Sequence, residues 1–159
     1  MNEYMTGAEL QCLREACGLD RDQFGALCGV QGRSIKYWEL SQSNHGVPAD
    51  VTDLIQELAA KVDAMAADAI ARHAGATEVV LMRTADPIDN EVTKRVYLAL
   101  RRRGKEVRLV AFDNKAYRAT LQGQDTPDAR HAWAARALRE QAKPHRQDQP
   151  TSPVMEFLG

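Results

Sequence analysis

Residues 18–39 read GLDRDQFGALCGVQGRSIKYWE, and the spacing of acids and glycines in this run decides the fold of the N-terminal part. Asp20 is a good N-cap, because its short side chain can accept a hydrogen bond from an otherwise unpaired N–H at a helix start. Asp22 follows in the first turn, where a negative charge suits the positive end of the helix dipole. Phe24, Leu27 and Cys28 recur at helical spacing and form one apolar face. Gly29 stops the helix after about two turns, since glycine enters the left-handed region without a Cβ penalty. Val30 has the character of a buried turn residue. A further helix starts near Gln31 and runs to about Leu40, with Ile35 and Trp38 inward and Gln31, Gly32, Arg33 and Lys36 outward. Tyr37 is open between the outward rim and packing against Trp38.

Upstream, Thr6 and Glu9 have the spacing of a capping box. Leu10, Leu13 and Cys17 continue that helix, and Gly18 ends it. Downstream, SQSNHG (41–46) is a polar loop, and Pro48 opens a long helix over about 49–73 at an N1-like position. Val51, Leu54, Ile55, Leu58, Val62, Met65 and Ile70 recur every three or four residues. That stripe is longer than a three-helix core covers, so the helix either carries the chain to a second domain or packs against a partner copy. GAT (75–77) reads as a linker. EVVLMR (78–83) and EVRLVAF (106–112) read as strands. Between them a helix begins at Pro87 and Asp89, carries Val92, Val96, Ala99 and Leu100 on one face, and closes with Arg101, Arg102 and Arg103 beside Gly104. Strand, helix and strand in about 35 residues is the size of a βαβ unit, which admits a parallel pair. A last helix is expected over Asp125–Lys143, with Ala129, Trp133 and Ala137 on one face. The polar, proline-containing KPHRQDQPTSP (143–153) is expected to be disordered. The expected class is therefore α+β. An all-α five-helix-type domain with its long linking helix spans 1–73, a small α/β dimerisation domain spans 74–143, and a tail spans 144–159.

Composition bounds the function. The chain has 159 residues, 44% hydrophobic and 27% charged, with a formal net charge of −1. Such a balance excludes nucleic-acid binding by bulk charge but permits a binder with one local basic face. No apolar run reaches the roughly 18 residues that span a bilayer. MNEYMTGAEL lacks the basic and long apolar regions of a signal peptide, so no membrane partner and a cytoplasmic, nucleoid-associated location are expected. Cys12, Cys17 and Cys28 are odd in number and contain no CxxC pair. They read as reduced, mostly packed thiols rather than a disulfide frame or zinc site.

Two short helices joined by a tight turn, the second bearing polar outward residues, form a helix-turn-helix arrangement. The run resembles the lambda-repressor-like (Cro or Xre) helix-turn-helix family at Leu19, Phe24, Gly25 (the small residue at the helix crossing), Gly29, Val30, Ile35, Trp38 and Glu39. The match extends over residues 6–45. Arg14 stands where that family commonly carries a basic residue paired to the position of Glu39. LQCLREACGL, RSIKYWE and VPADV are also similar to anti-CRISPR-associated and YdiL-like autorepressors, which join such a domain to a C-terminal dimerisation domain.

The resemblance implies a recognition helix in the major groove, its N-terminal outward residues meeting base edges. Arg33 is the candidate for a bidentate contact to guanine, worth about 1–3 kcal/mol of discrimination. Gln31 is placed to read adenine or bond a phosphate, Gly32 to let the backbone approach, and Lys36 and Tyr37 to complete the face. Arg21, Ser34, Gln42, Ser43 and Asn44, joined by His45, are placed for phosphate contacts, which orient without specifying. The implied protein is a homodimeric, sequence-specific (auto)repressor on an inverted repeat of double-stranded DNA, in a phage or mobile-element setting, with no cofactor and no enzymatic activity.

Other signals lead elsewhere. Asp86 and Asp113 follow the two strands. If those strands are parallel, both carboxylates leave the same sheet edge, where with Asp89 and Asn114 they suggest a magnesium site of a DNA-tethered enzyme. The competing reading makes them helix caps. RRRGK (101–105) either complements a helix C-terminus or adds phosphate contacts to DNA or RNA. His73, His131 and His145 lack metal-ligand spacing. A further alternative is an antitoxin whose C-terminal region binds a toxin.

Overall fold

The computed structural model describes residues 4–40 and 46–141. Among them are seven helices and two strands. The helices are α1 (Gly7–Ala16), α2 (Arg21–Cys28), α3 (Gly32–Leu40), α4 (Ala49–Arg72), α5 (Pro87–Arg102), α6 (Asn114–Thr120) and α7 (Pro127–Gln141), and the strands are β1 (Glu78–Arg83) and β2 (Glu106–Ala111). The class is mixed helix and strand, as expected.

Local chemistry sets the helix boundaries. At α1 the Thr6 hydroxyl accepts from Glu9 N–H and the Glu9 carboxylate accepts from Thr6 N–H, both at 3.1 Å. At α2 the same reciprocal box forms between Asp20 and Gln23, at 2.7 and 2.9 Å, so Gln23 completes a cap that Asp20 alone had suggested. Gly29 takes φ 74° and ends α2, and Val30 N–H returns to the Gly25 carbonyl at 2.9 Å. Pro48 occupies the N-cap of α4, one place before its expected N1 position.

The first apolar cluster holds Leu10, Phe24, Ile35, Val51, Ile55 and Val62, with Leu13, Val30 and Trp38 packed against it. The second holds Ala69, Val79, Val96, Leu100 and Val107. Helix α4 is 24 residues, about 36 Å at the usual rise, and it supplies Val51, Ile55 and Val62 to the first cluster and Ala69 to the second. Helix α5 does likewise, with Ile88 against the first cluster and Val96 and Leu100 in the second. The long stripe of α4 thus serves both clusters within one chain.

Strands β1 and β2 pair in parallel, from Glu78 opposite Glu106 to Arg83 opposite Ala111. The connection through α5 makes the βαβ unit whose size the sequence suggested.

The chain does not divide at residue 74. The described residues up to Phe112 form one compact unit and those from Asp113 a second. The reason lies in α5, which is docked on the N-terminal helices by side-chain chemistry as well as apolar contact. The Arg95 guanidinium donates to the Ala16 carbonyl at the end of α1, to Asp63 on α4 and to Glu91 on its own helix. In the second unit, Tyr117 donates to Asp125 at 2.7 Å and Arg130 donates to both oxygens of the same carboxylate. Arg130 and Tyr117 hold that carboxyl far below its ordinary range. Helix α6 was not anticipated, and α7 begins two residues later than Asp125. The expected tail lies outside the described residues.

One charged cluster lies inside the first unit. The Glu39 side chain is fully buried and accepts from Arg14 Nε at 2.6 Å, Arg14 Nη2 at 3.0 Å and Arg21 Nε at 3.0 Å. Arg14 also donates to the Leu19 carbonyl at 2.7 Å. Burial alone pushes the Glu39 carboxyl up, but the hydrogen bonds and charges of Arg14 and Arg21 outweigh it and hold the group below its ordinary value. A depressed carboxylate contributes stability that is present above the unfolded value, about 4.3, and is lost as pH falls through the folded one. Glu39→Ala leaves Arg14 buried without its counter-charge and is expected to cost about 3–5 kcal/mol in urea unfolding at pH 7. The cost should shrink on acidification below pH 4. A pH-independent cost would show that packing, not charge, dominates at this position.

Candidate nucleic-acid interface

The site is built on α3. Its Ile35 and Glu39 are buried and Trp38 is half-buried, while Arg33, Lys36 and Tyr37 are exposed. Those two sets occupy opposite faces of the helix, as a 3.6-residue period requires. Gln31, just before the helix, is also exposed. Tyr37 is 64% exposed, which assigns it to the outward face. The turn Gly29–Gln31 is short because Gly25 lets α2 approach it. A Cβ on Gly25 would lie 2.7 Å from the Val30 carbonyl oxygen and 3.1 Å from the Gln31 carbonyl carbon.

One expectation changes. Gly32 does not belong to the outward face: it is buried. The group it admits is Asp22 of α2, whose carboxylate oxygen occupies the place of a Gly32 Cβ, with Asp22 Cγ at 3.0 Å and Asp22 N at 3.1 Å from that position. The close approach that glycine permits here is helix to helix. Arg21 has a structural bond as well, its Nε donating to Glu39 with the side chain 31% exposed, which engages one of the five N–H donors of the guanidinium. Ser34 is half-buried. Gln42, Ser43, Asn44 and His45 lie outside the described residues. Sequence reasoning missed Asp22 as a member of this site. It had been read as a dipole residue of α2, and no local signal marks its contact with the start of α3.

Asp86 caps α5, accepting from Ile88 N–H at 2.8 Å and Asp89 N–H at 3.0 Å. Asp113 caps α6, accepting from Ala116 N–H at 3.0 Å. Asn114 accepts from Arg118 Nε at 3.3 Å. Asp86 and Asp113 thus serve as helix caps, and Asn114 pairs with Arg118 one turn along α6. Within RRRGK, Arg101 and Arg102 lie in the last turn of α5 and Arg103 is its C-cap. Lys105 donates to the Ala74 and Ala76 carbonyls beyond the end of α4. Cys17 is buried, Cys28 half-buried and Cys12 exposed, and burial pushes the first two thiols up. No helix among the described residues is long and apolar enough to cross a membrane.

No protein-family model matches this chain. No curated protein matches it.

The Gly32 correction has a direct consequence. Gly32→Ala must displace the exposed Asp22 carboxylate and press on the Asp22 backbone N, and is expected to destabilise the fold by about 1 kcal/mol, the low end of overpacking costs. Asp22→Ala in the same chain should recover part of that loss in a double-mutant cycle followed by urea unfolding. Unchanged stability with DNA binding lost would instead return Gly32 to the outward face.

Proposed function

We propose that this chain is a sequence-specific DNA-binding transcription regulator, acting as a homodimeric autorepressor on an inverted repeat. The observation that carries this reading is the division of α3. One face is fixed by Ile35, Trp38 and the Glu39 ion pairs, and the other presents Gln31, Arg33, Lys36 and Tyr37 to solvent. A rigidly mounted helix with a polar, cationic outward face, entered from a tight turn, fits a major groove. Its N-terminal end carries the residue types that read bases. Arg33 pairs bidentately with guanine O6 and N7, and Gln31 with adenine N6 and N7. Lys36 contributes phosphate attraction, and Tyr37 offers a hydroxyl and an apolar ring at the rim. The net charge of −1 suits this mode, since affinity then comes from a local surface rather than the whole molecule.

The test is selection of bound sequences from random duplex DNA by the full-length protein, repeated with Arg33→Ala. Arg33 is exposed, so the variant should melt as the parent does. Its preference at one base pair should fall by about 1–3 kcal/mol, roughly 5- to 150-fold. No enriched sequence, or an enriched sequence unchanged by Arg33→Ala, would refute the reading.

A single module of this size buries little surface on DNA, and pairing two of them on half-sites roughly 34–36 Å apart multiplies affinity. Sedimentation at micromolar concentration is expected to give a dimer, and the selected sites are expected to be palindromic. A monomer that binds single half-sites without cooperativity would exclude the dimeric form.

A further inference from the structure

Away from α3, the first unit contains a cleft of about 490 Å³ between the start of α2, the exit of β1 and α5. Its volume falls in the range of small-ligand sites, about 300–1,000 Å³. The decisive feature is what its side chains have left to offer. The Glu91 carboxylate is buried and engaged on both oxygens, by Lys94 at 2.7 Å and Arg95 at 3.3 Å. Gln23 Oε1 accepts from Asp20 N–H at 2.9 Å. Asn90 Oδ1 accepts from Thr84 N–H at 2.8 Å while its Nδ2 donates to the Thr84 carbonyl. Thr84 Oγ1 accepts from Asp86 N–H at 3.2 Å.

Each side-chain acceptor along this wall therefore already takes a bond or ion pair from the fold itself. The remaining capacity is in donors: the Gln23 amide N–H groups, one N–H of Asn90, the Thr84 hydroxyl hydrogen and two N–H of Lys94. Arg83 adds a whole guanidinium, for it lines the cleft and has no ion-pair partner among the described residues. Charge points the same way. Among the residues that line the cleft, Glu91 is the one carboxylate against two cations, Arg83 and Lys94, while Arg95 lies outside that lining and is shared between Glu91 and Asp63.

We infer that this cleft binds a small oxyanion ligand, a phosphate- or carboxylate-bearing molecule whose acidic group lies between Arg83 and Lys94. A guanidinium and an ammonium with neutral donors beside them give the charge-assisted bonds such a group requires. The concavity favours a small molecule over the convex backbone of duplex DNA. The site is separate from the α3 face, and its existence does not rest on the DNA-binding reading.

Calorimetric titration of the full-length chain in chloride buffer, with inorganic pyrophosphate and separately with citrate, tests it. Saturable binding at one site per chain is expected for at least one probe, and the tighter one names the class, phosphate or carboxylate. Arg83→Ala should weaken binding at least tenfold, and Lys94→Gln should weaken it as well. Arg33→Ala should leave it unchanged, which separates this site from the proposed DNA face. Absence of saturable binding with both probes, or binding indifferent to Arg83→Ala, would overturn the inference. So would an Arg83→Ala variant that loses affinity for all duplex sequences alike with a shallower salt dependence, because the cleft would then seat a DNA phosphate.

Discussion

The buried carboxylate of Glu39 is the constraint on which the N-terminal helices depend. It lies on α3 but is satisfied from α1 through Arg14 and from the first residue of α2 through Arg21. Three helices therefore meet at one charge, and each contributes a directional bond as well as apolar surface. Apolar contact alone tolerates rotation of a short helix by several degrees. A carboxylate held by three N–H groups does not, because loss of any one leaves a buried charge undersatisfied. The rotation of α3 about its axis is fixed by this geometry, and with it the identity of the residues facing solvent. Glu39 and Arg33 are thus linked: the first determines where the second points.

Much of this was legible because its signals are local. A capping residue, an apolar face and a terminating glycine act within a turn or two of chain, so Thr6, Asp20 and Gly29 mark their boundaries in the sequence as they do in the structure. Strand β1 is bounded at both ends as expected, since EVVLMR is a short apolar run between a glycine-containing turn and a proline. The Arg14–Glu39 pair spans 25 residues and could be anticipated only through the resemblance of the whole run to a known helix-turn-helix pattern. Where the reading failed, the deciding contact was distant or a local signal was ambiguous. Nothing near Arg21 in sequence announces its bond to Glu39. Helix α6 is only seven residues, too short for a periodic pattern, and its cap, Asp113, had a competing interpretation as a ligand. The linker-like turn at 75–77 lies inside the first compact unit, because α5 joins what lies on its two sides. Arg95, in the middle of that helix, carries no sequence mark of its bonds to Ala16 and Asp63.

Arg95 does for α5 what Arg14 does for α3. A guanidinium presents five donors in a fixed plane, so one side chain can reach the carbonyl end of α1, a carboxylate on α4 and one on α5 together. The two-strand parallel sheet would be marginal alone. It is supported by α5, and α5 is supported by the N-terminal helices through this arginine and through Ile88 and Val92. The cleft beside it follows from the same arrangement. With Glu91 engaged by Lys94 and Arg95, the cleft lining is left with two cations, Arg83 and Lys94, against that one carboxylate.

The exchange of partners at Gly32 bears on how the proposed DNA face would discriminate. Had Gly32 faced outward, the N-terminus of α3 would offer bare N–H groups and the positive end of its dipole to any phosphate, an attraction indifferent to sequence. Instead the Asp22 carboxylate lies against that terminus and opposes the dipole there. An anion so placed would weaken non-specific attraction of phosphate to that end of the helix in the proposed complex. Under the proposed function, recognition would then be left to side chains further along the face, Arg33 and Lys36, with Gln31 before them. Bidentate base contacts from such side chains distinguish one pair from another, whereas a helix terminus does not. If α3 reads DNA as proposed, the acid that sequence reading assigned only to the start of α2 would shift the balance on that helix from affinity toward specificity.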